Sequence, residues 1–279
     1  MLELPEVETV KRILEPQLSG QTILSAEVLH PQIISYPDAD SFQKQLTGQR
    51  ITGMSRRGKY LTLHFESGDR LIVHLRMTGQ LLVVPNVFPV EKHTHLIARL
   101  SDGKEIRYID VRRFGSFWLF GDGEEDSISG ISKLGLEPDD KGLTAEYLKS
   151  RMCKRRKTVK EMLHDQSIVA GIGNIYSDEI LFASGIHPEK KCSDLSDEEW
   201  NVLAKQIPEI IRWGIETNKM TAEEYLNGKG KKYRNTQYLK AYGREGKPCL
   251  KCGAVLKSWS SAVAQACFAR IVKSKGDRV

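Results

Sequence analysis

The apolar residues change their period once along the chain, and that change limits the fold more than any single motif does. Across residues 23–120 they come in short β-rich runs, clearest at 59–66, 71–75, 95–100, 105–110 and 116–120. The turn signals Ser67-Gly68-Asp69, Ser101-Asp102-Gly103 and Gly121-Asp122-Gly123 separate them. So many strands joined by tight turns predict an antiparallel sandwich or barrel. One helical stripe precedes them: Val7, Val10, Leu14 and Leu18 share a face of residues 6–18, and Gly20 is the stop. After a Gly/Asp/Ser-rich linker at 121–143 the period becomes helical. Ser196 and Glu199 form a capping box for a helix running towards Trp213, with Pro208 predicting a kink. The chain therefore reads as α+β in two domains, and 279 residues are enough for each to bury a core.

One stretch of the helical half is organised differently. Residues 158–185 read TVKEMLHDQSIVAGIGNIYSDEILFASG, two short helical patterns around Gly171-Ile172-Gly173-Asn174. Val159, Met162 and Leu163 recur at helical spacing before the turn, Ile175, Ile180, Leu181 and Phe182 after it, and Gly185 closes the second pattern. Asn174 stands where an N-cap belongs, and the adjacent glycines let a ligand approach the backbone closely. A helix N-terminus offers free N–H groups and positive dipole, so this turn is a candidate anion site. Lys154-Arg155-Arg156-Lys157 lies just upstream. Taken alone, the same residues fit a packed helical hairpin with a solvated basic face equally well.

A net charge of +6 favours a polyanionic partner. Lys and Arg cluster at 56–59, 112–113, 154–160 and 229–234, which suggests a basic surface assembled by folding rather than a basic tail. No apolar run is long enough to span a membrane, and the acidic N-terminus has no signal-sequence character. Five cysteines, including one Cys-x-x-Cys pair, read as cytosolic thiols or metal ligands rather than disulfides.

Three other places carry candidate chemistry. MLELPEVETV sets Glu3, Glu6 and Glu8 beside the chain terminus, where carboxylates favour a helix N-terminus or do acid–base work next to an α-amine. HLRMTG at 74–79 ends a strand with Met77 entering a turn, and DVRRFG at 110–115 does the same with Arg112 and Phe114. A Met or Phe at a turn suits a wedge between base pairs, although core packing explains either one alone.

In order along the chain, ELPEVETV at 3–10, RRGKYL at 56–61, HLRMTG at 74–79, KHTH at 92–95 and DVRRFG at 110–115 carry a resemblance. Lys157-Thr158-Val159-Lys160 with GIGNIYSDEILF at 171–182, and YGREGKPC at 242–249, continue it to about residue 257. Together they resemble the bacterial formamidopyrimidine-DNA glycosylase and endonuclease VIII family, on its formamidopyrimidine side. The resemblance implies a zinc-containing clamp on damaged double-stranded DNA, a β-sandwich and a helix–two-turns–helix domain with the duplex between them. It implies base excision repair of oxidised purines (8-oxoguanine, formamidopyrimidines) followed by abasic-site lyase chemistry, in the cytoplasm. A clamp around one lesion needs only a monomer.

On that resemblance Glu3 is the acid that assists base loss and sugar opening, and Lys59 reaches the lesion nucleotide and assists β-elimination. Lys157 and Asn174 grip flanking phosphates, His74 and His93 lie along the backbone, and Tyr242 and Arg244 belong with the DNA contacts. Flipping out the damaged purine costs a few kcal/mol of stacking. Met77 fills the vacated space, Arg112 pairs with the orphaned cytosine and Phe114 wedges the opposite strand. The basic loop around 229–236 folds over the extruded base.

Two departures bear on activity. The family's nucleophile is an N-terminal proline exposed by loss of the initiator Met, whereas the second residue here is Leu2. A bulky second residue blocks Met removal, so the expected terminus is Met1, one residue too long. Its α-amine, with a pKa of about 8, keeps a neutral fraction at pH 7 but is a primary amine in the wrong place. The expectation is severe loss of activity on intact lesions, with abasic-site lyase activity remaining. The second departure is the tail. Cys249 and Cys252 supply the first half of the family's four-cysteine zinc hairpin, and the remainder offers only Cys267, with no partner at Cys-x-x-Cys spacing. Back-translated with permitted codons and read one base out of register, residues 258–275 yield Val-Val-Leu-Gly-Gly-Arg-Thr-Gly-Val-Phe-Cys-Pro-Asp-Cys-Gln-Lys and a stop. That is the missing hairpin, and it points to a one-base slip near Lys257. As translated, the tail leaves the metal site incomplete, forfeits the folding energy that zinc supplies and is expected to be poorly ordered over 258–279.

The division expected is a sandwich domain at 1–125, a linker at 126–145, the helix–two-turns–helix domain at 146–228, the lesion loop with half a zinc finger at 229–257, and a degenerate tail at 258–279. Leu2 and the broken hairpin favour an alternative, a catalytically weak protein that binds lesion or abasic DNA. A ribosomal or RNA-binding structural protein leaves Glu3, Lys59 and the wedge residues unexplained.

Overall fold

The computed structural model describes residues 2–260 and 265–268. Helix α1 (Leu4–Leu18) begins two residues before its apolar stripe suggests, because Pro5 suits a first helical turn and Glu3 and Glu6 close a reciprocal capping box around the start. Its buried stripe joins the core built by the nine strands that follow. These are β1 (Ile23–Val28) and β2 (Ile34–Tyr36), then, after helix α2 (Ala39–Leu46), β3 (Ile51–Arg57), β4 (Tyr60–Phe65), β5 (Arg70–His74), β6 (Gln80–Pro85), β7 (Thr94–Leu100), β8 (Lys104–Ile109) and β9 (Ser116–Phe120). Helix α2 breaks the region read as β-rich: Asp38 caps it through the Asp40 and Ser41 N–H groups, and Phe42 and Leu46, one turn apart, bury its inner face.

The strands form two sheets, ordered β1-β7-β8-β6 and β2-β9-β5-β4-β3. The expected antiparallel sandwich needs one correction, since the edge strand β2 runs parallel to β9. The two are distant in sequence, so no hairpin dictates their relative direction. Side-chain alternation is visible in β5, where Leu71 and Val73 enter the core between the sheets while Ile72 joins Trp118 and Phe120 on the outer face.

The second half contains α3 (Ala145–Met152), α4 (Val159–Leu163), α5 (Asn174–Ser184), α6 (Asp197–Thr217) and α7 (Ala222–Asn227). Their core gathers Tyr176, Ile180, Trp200, Leu203 and Ile207. Ser196 and Glu199 cap α6 reciprocally, and the helix runs on through Pro208. A short antiparallel pair, β10 (Lys257–Ser260) and β11 (Gln265–Phe268), follows. Of the tail expected to be poorly ordered at 258–279, residues 258–260 and 265–268 lie in this pair; the side chain of Cys267 and the rest of that tail lie outside the described residues.

The halves are joined at the start of the chain. Leu2 packs in the sandwich core and Leu4 in the helical core, so residues 2–4 cross the seam. The linker is docked as well: Glu137 accepts hydrogen bonds from Arg56 Nη1, Arg57 Nη1 and the Gly58 N–H, each at 2.7 Å, while Arg56 Nε reaches Glu8 at 2.9 Å. This corrects the basic surface expected at 56–59, where two of the three cations are paired internally. Among the described residues no helix is long and apolar enough to cross a membrane.

Candidate active site at the domain seam

The turn at 171–174 leads into α5 as expected, but the anion at that helix N-terminus belongs to the protein. The Glu3 carboxylate, fully buried, accepts from the N–H groups of Gly173 (2.8 Å), Ile175 (2.8 Å) and Tyr176 (3.2 Å). These are donors that a capping side chain would otherwise satisfy. The N-cap is therefore Gly173, and Asn174, expected in that role, is the first helical residue. Its side-chain Oδ1 is buried without a hydrogen-bond partner. Burial pushes the Glu3 carboxyl above its usual range, against the pull of Lys59 and the three backbone donors.

Glu6, one turn further along α1, ties four segments together. Its Oε1 accepts from Tyr176 Oη at 2.8 Å, Asn218 Nδ2 at 3.1 Å and Asn235 Nδ2 at 2.9 Å, and its Oε2 accepts from the Glu3 N–H at 3.0 Å. Burial, reinforced by Glu3, raises its carboxyl to about 7. From sequence Glu6 was named only with Glu3 and Glu8 as a carboxylate near the terminus, without these partners. The available signal was its spacing of four and seven from Val10 and Ile13, which puts a carboxylate on the buried stripe.

Two cavities open between the halves, and Glu6 borders the smaller. One of about 810 Å³ is lined by Lys59, His74, Arg76, Met77, Arg113 and Phe114 among others, and one of about 470 Å³ by Leu2, Glu6, Met77, Arg112, Tyr233 and Thr236 among others. Met77 borders both. Lys59 Nζ donates to the Ile172 carbonyl at 2.8 Å. His74 is buried, stacks edge-on against Tyr60, and takes the Arg76 N–H on Nδ1 at 3.0 Å, so Nε2 carries the proton. Burial, with Arg76 and Lys59 adding to it, lowers His74 to about 3, which makes it a neutral donor at pH 7.

The predicted wedge residues meet on two loops. Met77 and Phe114 are 42% and 49% exposed, and Arg112 bridges them, with Nη1 3.1 Å from Met77 Sδ and Cζ 4.5 Å from the Phe114 ring centre. Exposed apolar side chains held together this way are poised for a partner rather than for the core. Asp110, whose role was missed from sequence, holds them. Its carboxylate accepts from the Thr78 hydroxyl, the Tyr108 hydroxyl (2.9 Å) and the N–H groups of Arg112 (3.1 Å), Phe114 (2.9 Å) and Gly115 (3.1 Å). Arg76, His93 and Arg113 flank these loops with left-handed φ of 55°, 70° and 57°.

The remaining candidates are placed less centrally. His93 accepts the Asp110 N–H on its carbonyl at 3.0 Å. Lys157 is exposed, one residue before the Thr158 cap of α4, and lines neither of the two cavities. Tyr242 is held through its N–H by Glu179, which also takes the N–H groups of Lys240 and Ala241. Arg244 Nη2 bonds the Pro248 carbonyl at 3.1 Å. Cys249 is buried, and its Sγ accepts the Lys251 N–H at 3.4 Å, as in a metal-binding knuckle; Cys252 is exposed on the same turn. Burial acts to raise the Cys249 thiol, but the Lys251 and Cys252 donors win and it lies below the usual range. Among the described residues no three His, Cys, Asp or Glu side chains converge as a metal site.

A β-sandwich and a helical domain sharing a buried acid at their seam, with a Met–Arg–Phe cluster across the cleft, define a two-domain protein of the DNA-glycosylase class. Family models agree with that architecture: the formamidopyrimidine-DNA glycosylase N-terminal domain matches residues 1–117 and the formamidopyrimidine-DNA glycosylase H2TH domain residues 134–225. The formamidopyrimidine-DNA glycosylase of Moorella thermoacetica is 42% identical over 257 residues, covering 92% of this chain and 94% of its own. That of Desulforamulus reducens is 44% identical, covering 91% and 92%. A crystal structure of the Lactococcus lactis enzyme with Fapy-dG-containing DNA superposes with a TM-score of 0.85 at 34% identity, covering 96% of this chain and 98% of that one. The same bacterium's enzyme with abasic-site DNA also gives 0.85, at 34% identity with 96% and 97% covered. The chain belongs to the formamidopyrimidine-DNA glycosylase family.

Proposed function

We propose that this chain is a base-excision-repair glycosylase and abasic-site lyase for oxidised purines in duplex DNA, with activity on intact lesions impaired at Leu2. The main support is the Glu3 carboxyl, held by three N–H donors at the seam beside the cleft, in a family whose structural relatives hold Fapy-dG and abasic-site DNA. Raised by burial, Glu3 can carry the proton that base loss and sugar opening require. The smaller cavity, roofed by Tyr233 and Thr236, takes the extruded base; the larger takes the lesion backbone past Lys59 and the Nε2–H of His74. Met77 between them fills the gap in the stack, Arg112 meets the orphaned cytosine and Phe114 wedges the opposite strand. Asn174, Lys157, His93, Tyr242 and Arg244 bind phosphates, so affinity falls steeply with salt.

Leu2 is a poor replacement for the proline. Its N donates to the Arg76 carbonyl at 3.3 Å and its side chain is packed in the sandwich core. Acylated by Met1, that nitrogen is an amide with no nucleophilic lone pair. Zinc would be held by Cys249 and Cys252, whose knuckle suits it, and would supply folding energy rather than chemistry. These are two of the four thiolates required, and no step passes through the metal. The division into sandwich, linker at 126–145 and helical domain, a monomeric clamp and a bacterial cytoplasmic setting complete the assignment.

Borohydride trapping on an 8-oxoguanine duplex tests it. Wild type should trap weakly, and Leu2→Pro should gain about a hundredfold or more. Equal trapping by both would overturn the impairment. Preference for RNA over lesion duplex in competition would overturn the function. Tight lesion binding with no excision by either form would favour the second possibility, a lesion-binding protein, which the buried Leu2 supports.

A further inference from the structure

We propose that Lys59 is the amine through which this chain reacts with an abasic deoxyribose, assuming the covalent role that residue 2 does not perform; this rests on the assignment above of the cleft to abasic duplex DNA.

Lys59 sits in the turn between β3 and β4 and faces the larger cavity together with His74, Met77 and Phe114. Its Nζ donates to the Ile172 carbonyl, and Glu3 accepts the Gly173 N–H. That carbonyl and that N–H belong to one peptide unit, so the amine and the buried acid flank a single peptide plane. Among the described residues Lys59 forms no ion pair within 4.0 Å, and its hydrogen bond to a neutral carbonyl is readily exchanged. Lys160 provides the contrast: it is buried against Asp178 at 2.5 Å and faces no cavity of the cleft. Burial pushes the Lys59 ammonium below the ordinary lysine range, more than Glu3 and Glu6 restore, which enlarges the neutral fraction that can attack.

The step balances with groups already present. The neutral Nζ adds to the C1′ aldehyde of the ring-opened sugar, forming a C–N bond and a carbinolamine. Glu3 protonates the departing hydroxyl, water leaves and an iminium remains. The Glu3 carboxylate then takes a C2′ proton; that C–H pair becomes the C2′–C3′ double bond and the C3′–O bond breaks, expelling the 3′ phosphate. Water hydrolyses the conjugated imine and returns the lysine amine. No oxidant or reductant takes part.

The test uses the full chain and a duplex with one abasic site. The complex is reduced with borohydride, digested and mapped by mass spectrometry. We expect the adduct on Lys59. Lys59→Gln and Lys59→Arg should both lose trapping by about a hundredfold; Lys59→Arg, which keeps the charge but not the nucleophile, should lose far less abasic-duplex affinity than trapping. An adduct on the Met1 amine or on Lys133, which lines the same cavity, would overturn the inference. So would undiminished trapping by Lys59→Arg, or tight abasic binding by wild type with no adduct. Failure of wild type to prefer abasic over undamaged duplex would overturn both this and the assignment it rests on.

Discussion

Asp110 accepts five hydrogen bonds, and replacing it with asparagine removes its charge while keeping its shape. Oδ2 takes the Tyr108 hydroxyl and the N–H groups of Phe114 and Gly115, and Oδ1 takes the Thr78 hydroxyl and the Arg112 N–H. An amide oxygen can serve only one side, and the three-donor side is favoured. The amide NH₂ then faces Thr78, whose hydroxyl can turn to accept, and the Arg112 N–H, which cannot. An orphaned, partly buried N–H costs about 1 kcal/mol, and loss of charge from the remaining bonds costs roughly 1 kcal/mol each. Relief from burying a carboxylate offsets part of this, leaving about 3 kcal/mol. At about 2–4 °C per kcal/mol, Asp110→Asn should lower Tm by roughly 6–12 °C at pH 7.

The pH dependence supplies a second check. Burial acts to raise the Asp110 carboxyl, but the Thr78 hydroxyl, the backbone N–H of Gly115 and the Tyr108 hydroxyl outweigh it, so the folded value lies below the unfolded one. Wild-type stabilisation is therefore complete above the unfolded carboxylate range and is lost as pH falls through the folded value. The Tm gap should close in acid, and lesion discrimination should drop with the gap open. A Tm change under about 2 °C at pH 7, or a gap that persists unchanged in acid, would refute this account.

Three further outcomes are expected. At Gly173 an added Cβ would lie 2.6 Å from Glu3 Cδ, so Gly173→Ala should displace the acid and cut lyase turnover by about a hundredfold or more, with duplex affinity changing far less in a gel-shift titration. Burial raises both Glu6 and Asp178 to about 7, so the folded state holds protons that the unfolded state has released. Stability should fall as pH rises from about 4.5 through about 7, and Glu6→Gln should flatten that decline in denaturant titrations. Replacing residues 258–279 by the tail read in the other register should raise bound zinc from substoichiometric to about one per chain by elemental analysis, with higher Tm; unchanged zinc content would count against the one-base slip.

Much of the fold was legible because its signals are local. The stripe of Val7, Val10, Leu14 and Leu18, the reciprocal cap of Ser196 and Glu199, and the runs that became β4, β5, β7, β8 and β9 depend on neighbours within a turn or a strand. Helix α2 went unread because its apolar pair is brief, and the parallel β2–β9 pairing because long-range strand direction leaves no local trace. Family motifs pointed to Glu3 and to Met77, Arg112 and Phe114, and the fold does bring the last three together. The role of Asp110 and the partners of Glu6 were not legible, since an isolated carboxylate in a motif does not reveal which donors will surround it.

The sequence by itself determined the two-domain α+β architecture, the family and the chemical inventory of the cleft, because periodicity, caps and motif residues are properties of short segments. Only the tertiary structure decided where charges end. It brought Glu3 onto the backbone of residues 173–176, leaving Gly173 rather than Asn174 as the cap, and paired Arg56 and Arg57 with Glu137 instead of exposing them. Those outcomes turn on burial and on hydrogen-bond partners far away in sequence. A carboxylate taken out of water must find donors, and which donors are within reach is settled only when the two domains close on residues 2–4.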